Sequence, residues 1–391
     1  MRVAPLRAEL DWPTGRVAGA KRSVPQRTAD SPDTTASLHC GKAFGLIARR
    51  SATRDAGILA VIFSLFAMAS SPASAGPVLW VAGNSGQILH STGNGVWTPQ
   101  VSGTSLTINE IAFINSKRGF AGGGTLRVTT NGGLTWSAGN TPPLSGGIVA
   151  MDFIDVNTGF AGGNPGNAKT YKTIDGGANW TLSLQGGFSS VNDIEFLDAN
   201  RGWLAQGGSL RRTVNGGTNW ATLSLSGMNV TEISFPNALD GWVVSVQSTG
   251  SNPSLAVTHD GGATLTAQLL RNQVPAPLRA VHFIDSMTGW AAGGDGTVLH
   301  TSNGGTTWDD RSIATTVDWE DVIFINALRG WVVGGTTIAG TTNGGLSWTT
   351  EYFAGASGLK SITAIVPEPS TLVLGFLGAV LLAGFGMRRG R

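Results

Sequence analysis

The stretch Thr129-Thr130-Asn131-Gly132-Gly133-Leu134-Thr135-Trp136 returns along the chain at 173–180 (TIDGGANW), 213–220 (TVNGGTNW), 301–308 (TSNGGTTW) and 341–348 (TTNGGLSW). Two copies are imperfect: 258–265 (THDGGATL) lacks the Trp, and 91–97 (STGNGVW) is one residue short. The final positions 97, 136, 180, 220, 265, 308 and 348 lie 39, 44, 40, 45, 43 and 40 residues apart. A period of roughly 40–45 residues in a strand-rich chain is that of propeller blades. The box shapes its own turn, because Asn or Asp bonds nearby turn amides and Gly-Gly supplies the positive-φ positions of a tight hairpin. Asn131, Asp175, Asn215, Asp260, Asn303 and Asn343 therefore read as structural turn residues, and the exchange of Asp for Asn at one position argues against a cation ligand. Trp136, Trp180, Trp220, Trp308 and Trp348 read as packing residues, each offering an apolar face to the next blade. A stacking platform for sugars or bases is the sharper alternative.

A second element interleaves with the box, at 113–120, 153–160, 196–203, 235–242, 283–290 and 324–331. Each begins at Phe, has an apolar residue two before it, and runs through a polar turn into Gly-Trp or Gly-Phe. Period two marks strands and the polar middle marks a turn. Each unit thus reads strand, turn, strand, loop, strand, box, strand. The Phe follows the box end by 16, 17, 16, 15, 18 and 16 residues, and 16 residues beyond Trp348 lies Ala364 in 359–365 (LKSITAI). That segment aligns with 278–284 and supplies a first strand with no blade of its own, while 78–97 supplies three strands without a first. The expected fold is all-β: a seven-bladed propeller of four-stranded blades, closed by N- and C-terminal strands in one shared blade, which removes the open edges. A C-terminal transmembrane helix is expected to follow it.

Composition agrees. The chain has 57 Gly among 391 residues, roughly twice the usual share, with 13% charged residues and 13 Trp. Gly costs about 1 kcal/mol in a helix interior, which excludes a helical bundle, and the apolar content excludes disorder. The pI of about 8.9 misleads, because residues 1–75 carry a net charge of +5 and the remainder −3. No nucleic-acid partner is expected. Cys40 is the single cysteine, so no intramolecular disulfide is possible.

The two ends read as addresses. Residues 1–75 form a leader whose apolar core, 57–69, follows Arg49, Arg50 and Arg54 and precedes Ala73-Ser74-Ala75, a secretory signal with cleavage expected after Ala75. The propeller is expected over 76–366. Residues 367–391 begin Pro367-Glu368-Pro369, continue as the apolar run 371–387, and end on Arg388, Arg389 and Arg391. Seventeen residues reach about 26 Å as a helix, the lower limit for spanning a bilayer. This segment resembles the PEP-CTERM sorting tail of Gram-negative, exopolysaccharide-making bacteria. The resemblance implies recognition by an exosortase, inner-membrane anchoring through the helix before processing, and then a cell-surface or extracellular location.

The boxes resemble Asp-boxes, or bacterial neuraminidase repeats. Together with the Phe element they look like the photosystem II assembly and stability factors of cyanobacteria and chloroplasts, over about residues 77–366. That resemblance implies a non-enzymatic propeller that chaperones a photosystem subunit through an arginine-rich surface. The positions here are Arg118, Arg127, Arg201, Arg211, Arg212 and Arg329. The favoured function is an exported, non-enzymatic binding or assembly scaffold of the envelope or extracellular matrix, expected to be a monomer. Its expected partners are the exosortase and secretion machinery and an unidentified protein or exopolysaccharide. The alternative is a photosystem II-assembly-factor-like chaperone for a membrane complex, and after it a glycan-binding or sialidase-like protein.

The chemistry-bearing residues do not assemble into a catalytic motif. A sialidase needs an arginine triad, a nucleophilic Tyr with a supporting Glu and an acid Asp, yet only Tyr171 and Tyr352 exist, both near boxes. The five His are scattered without metal-ligand spacing, and 163–170 lacks the Gly-Lys step of a phosphate loop. No catalytic residue, cofactor or metal is expected. Glu110, Asp193, Glu232 and Asp321 share one first-strand position and read as a negative channel mouth or, more plainly, a solvated rim. Length varies most between the second and third strands, notably at 247–253 and 162–169. This places the binding face opposite the boxes, away from the tail.

Overall fold

The structure is a computed structural model that describes residues 76–163, 169–187, 189–225, 228–246, 253–352 and 358–367. The leader, Glu368, Pro369, the apolar run 371–387 and parts of both variable loops lie outside the described residues. Seven four-stranded antiparallel sheets form the domain, and we call the strands of each blade a to d from the axis outward. Blade 1 is the shared one: Leu359–Ile365 is its strand a, followed by Val78–Gly83, Ile88–Ser91 and Thr98–Gln100. Blades 2 to 7 follow along the chain at 108–138, 148–184, 191–224, 230–270, 278–310 and 321–352. The closing register pairs Val78 with Ile365, Leu79 with Ala364 and Trp80 with Thr363. Ala364 therefore stands where the other blades have Phe.

Strand a alternates as its sequence demands. Phe and the residue two before it are buried between blades, and the residues between them face the axis. The a-strands contact one another in succession round the ring, including blade 7 with blade 1 and blade 1 with blade 2. Each Phe lies flat over the Gly that pairs with it on strand b; a Cβ on Gly289 would come within 2.5 Å of the Phe283 ring. This is why the motif reads Phe, turn, Gly-aromatic. Blade 1 reverses the sizes: small Ala364 on strand a faces fully buried Leu79 on strand b.

The blades adhere through aromatic rings. The strand-b aromatic of one blade stacks on the Phe of the next: Trp80 on Phe113, Phe120 on Phe153 and Trp290 on Phe324, each with centroids 3.5 Å apart. The box Trp of that next blade meets the same Phe edge-on, as Trp136 does with Phe113 at 5.8 Å and Trp348 with Phe324 at 6.1 Å. Such pairs contribute about 0.5–1.5 kcal/mol each beyond the area they bury. Trp319, outside both motifs, is fully buried in the same interface layer, packed with Ala280, Trp290 and Ala292 of blade 6.

The ring has two unlike faces. The a–b turns and the c–d boxes share one face, because the first box Gly donates its N–H to the turn: Gly132 to Lys117 O at 2.9 Å, Gly304 to Met287 O at 2.8 Å. The b–c loops and the d-to-a connections form the other. The chain leaves at Ile365, Val366 and Pro367 on the box face, beside the start of strand b.

Candidate functional site

Within each box the sequence dictates its own geometry. The buried Thr129 hydroxyl accepts the N–H of Gly133 at 2.9 Å and donates to Asn131 Oδ1 at 2.9 Å. Asn131 Oδ1 in turn accepts the N–H of Thr135 at 3.0 Å. Gly132 and Gly133 hold φ of 73° and 86°, where a side chain is strained. Asp175, Asn215, Asp260, Asn303 and Asn343 repeat the pattern. Their side chains are spent on backbone within the turn.

The box Trp residues face the preceding blade, whereas the sequence pattern points to the next. Trp136 Nε1 donates to Gln100 Oε1 at 3.2 Å, Trp180 to Asn140 O at 2.7 Å, Trp220 to Ser183 Oγ at 3.2 Å and Trp348 to Arg311 O at 2.9 Å. Every acceptor is in or just after strand d of the preceding blade. Trp308 is half-buried beside Phe283, and its indole N–H has no partner. Next-blade contacts belong to the strand-b aromatics instead. Trp80, Trp203, Trp242 and Trp290 donate their indole N–H to the carbonyls of Gly132, Gly261, Gly304 and Gly344 in the next box. Where strand b carries Phe120 or Phe160, which have no such donor, a cation takes the place: Arg118 reaches Gly176 O at 3.2 Å and Lys172 reaches Gly216 O at 2.8 Å.

The candidate arginines are accordingly spread around the ring. Arg329 lies over Trp331 at 5.3 Å and donates to Gly93 O across the closing interface. Arg212 reaches Asp260 O at 3.1 Å, and Arg211 reaches Thr222 Oγ1 at 3.1 Å. Arg127 donates to Gly103 O. Arg201 pairs with Asp198 at 2.6 Å, half exposed. Each is bound to its own domain, and they form no single patch.

The axis of the ring holds a cavity of about 590 Å³ walled by the seven a-strands. Glu110, Asp193, Glu232 and Asp321 line it, joined by Asp152 and Glu195 from the position next to the Phe. They are wall, correcting the expectation of a solvated rim. Each a-strand pairs only with strand b, so its inner edge offers N–H groups with no sheet partner, and such donors are costly to leave unmade. The carboxylates of the preceding blade answer them. Asp152 accepts the N–H of Phe196 at 2.7 Å, Asp193 that of Ile233 at 2.8 Å, Glu195 that of Phe235 at 2.8 Å and Asp321 that of Ile362 at 2.8 Å. Ser234 does the same for Phe283 at 3.0 Å, and Ser361 links Ile111 to Glu110. The signal for Asp152 and Glu195 was their channel-facing parity, one residue before the Phe.

Burial dominates the titration of this wall. It pushes Asp152 and Asp321 up to about 7 and Asp193 up to about 6. Glu110, Glu195 and Glu232 are raised well above the ordinary range, by burial first and neighbouring carboxylates second. Burial lowers His282 to about 4. At the mouth away from the boxes, Arg279 pairs with Asp318 at 2.9 Å and Glu320 at 3.5 Å, and Lys360 lines the same cavity. Among the described residues, no three His, Cys, Asp or Glu side chains come together as a metal site would require. The wall can hold protons and accept hydrogen bonds from N–H-rich or cationic groups.

These features define an all-β, seven-bladed, Asp-box propeller with an acid-lined axis. A family model described as photosynthesis system II assembly factor YCF48 matches residues 219–316, from the box of blade 4 to the end of blade 6. Two solved structures of that factor share the fold. One is bound to D1 peptide (TM-score 0.55, 18% identity, 69% of this chain and 94% of that one). The other is from Cyanidioschyzon merolae (TM-score 0.55, 18% identity, 70% and 97%). The GH74 xyloglucanase of Xanthomonas campestris is equally similar in fold (TM-score 0.55, 12% identity, 74% of this chain), but this chain spans only 54% of that enzyme. Comparison with curated protein sequences gives no match. The domain is thus a propeller similar to the photosystem II assembly factor.

Proposed function

We propose that the protein is a non-catalytic propeller that holds a polypeptide segment of a membrane complex during its assembly, exported and tethered at the envelope by its apolar run 371–387. The observation that carries this reading is the match of the assembly-factor model to residues 219–316. The fold likeness to a propeller bound to a peptide supports it. The segment would enter at the axial mouth away from the boxes, where Asn109, Asn192, Thr231, Arg279, Glu320 and Lys360 line the cavity. Carboxylate-rich walls favour a segment rich in N–H or cationic donors over an acidic one.

Photo-cross-linking on intact cells tests this, with the cross-linking amino acid at Lys360 on the mouth and at Thr181 on an exposed strand d. Adducts to a subunit of a membrane complex are expected from position 360 and not from 181. Equal yields at the two positions, or hydrolysis of xyloglucan by the purified protein, would overturn the reading.

A further inference from the structure

The box face carries a ring of aliphatic side chains in open solvent. Val96, Leu134, Ile174, Val214, Leu239, Met287 and Leu346 are 51–81% exposed and give each of the seven blades at least one. No motif position demands them. Ile174 and Val214 occupy the second box residue, where other copies carry Thr130, Ser302 and Thr342. Leu134 and Leu346 occupy the sixth, where others carry Ala178, Thr218 and Thr306. Leu239 and Met287 come from a–b turns. Single exposed aliphatics are ordinary; one per blade, drawn from three different positions onto one face, is a pattern.

We propose that this face docks on a phospholipid bilayer. The proposal rests on the reading of 371–387 as a membrane anchor and adds which side of the propeller meets the lipid. Two observations select the bilayer. The exposed aliphatics are spread over all seven blades, which suits an extended partner better than a peptide bound at one of them. The chain also leaves the domain on this same face: Val366, 52% exposed, follows the last strand, and the apolar run begins five residues later at Thr371. Five extended residues reach at most about 18 Å, which keeps the box face against the interface into which the run inserts. Asp155, Asp175, Asp198, Asp260 and Asp285 on this face accept backbone N–H groups of their own turns, and Asp240 accepts from Asn237.

The test uses the chain from Gly76 to Arg391, as it stands after the expected cleavage and free of cysteine, with one probe site at a time, Leu134→Cys or Leu346→Cys on the box face and Val101→Cys on the opposite face. Each variant carries an environment-sensitive fluorophore and is reconstituted into phosphatidylcholine–phosphatidylglycerol vesicles containing a spin-labelled lipid. Val101 is 85% exposed, so all three sites label freely. We expect the protein to float with the vesicles, and lipid-borne quenching at 134 and 346 to exceed that at 101 at least twofold. Flotation with equal quenching at all sites would overturn the docking face and leave the anchor standing. Failure to float would overturn both. Emission at 134 shielded without lipid quenching, together with a dimeric mass, would assign the face to a second copy instead.

Discussion

The interface between blades 6 and 7 and the closing interface between blades 7 and 1 do one job with different materials. In the first, fully buried Trp290 stacks on Phe324 at 3.5 Å and donates to Gly344 O at 3.2 Å, with Trp348 edge-on. In the second, Trp331 finds no Phe, because Ala364 holds that place, and it packs with Leu79, Ile362 and Trp97. Polar contacts cross both: Trp97 Nε1 donates to Glu351 at 2.5 Å, Arg329 to Gly93 O and Ile362 N–H to Asp321 at the closure, while Trp348 donates to Arg311 O and Arg279 pairs with Asp318 between blades 6 and 7. A strand arriving from the far end of the chain can dock with a small residue at its centre when its partner strand brings the bulk.

The comparison breaks most visibly at its aromatic centres. Trp290→Ala is expected to cost about 4–5 kcal/mol, within the range of buried Trp truncation. Trp331→Ala should cost about 1–2 kcal/mol less, since neither a stacked ring nor a box-carbonyl hydrogen bond is lost with it. Chemical denaturation of the two variants measures the gap, and equal losses would show that the closing interface is built like the rest.

The channel wall sets the next largest effect. Asp152 and Asp321 titrate near 7 and Asp193 near 6 when folded, against 3.8 in an unfolded chain. Between about pH 4 and 7 the folded state therefore holds the extra protons, and its stability falls as pH rises through that window. His282, near 4 against 6.5, acts oppositely, losing stability as pH falls, and burial lowers His90 and His300 as well, but these three face six raised wall carboxyls. The thermal midpoint should be several degrees higher at pH 5 than at pH 8. Asp152→Asn combined with Asp321→Asn should flatten that slope. A midpoint rising with pH over the same window would contradict the assignment.

The smallest effect sharpens the comparison. Blade 5 has Leu265 where other boxes have Trp, so Phe235 keeps its stack on Trp203 at 4.0 Å without an edge-on ring. Leu265→Trp should stabilise by about 0.5–1.5 kcal/mol if the ring settles as Trp220 does on Phe196. An unchanged or lower denaturation midpoint would mean that blade 5 is already filled by Leu223, Leu225 and Leu265.

Much of this was legible in residue order. The box fixes its own turn because Thr129, Asn131 and Gly133 bond one another within four residues. A 16-residue offset sufficed to place Ala364 in the closing strand. Trp319 escaped the motifs, since its strand-a place precedes the Phe by five residues and holds aliphatics elsewhere, as at Ile108, Ile148 and Leu278. The parity of Glu110 and Asp193 was readable too, but their partners were not.

Sequence alone determined the number of blades, their strand order, the shared blade and the turn chemistry, because those depend on bonds and spacings within one repeat. The tertiary structure decided which neighbour each box Trp leans on, which cations replace a missing indole N–H, and that the channel carboxylates bind the edge-strand amides of the next blade. Away from the closing blade these contacts join residues 36–58 positions apart. Their direction is set by how twisted sheets pack around an axis, and no single repeat carries that information.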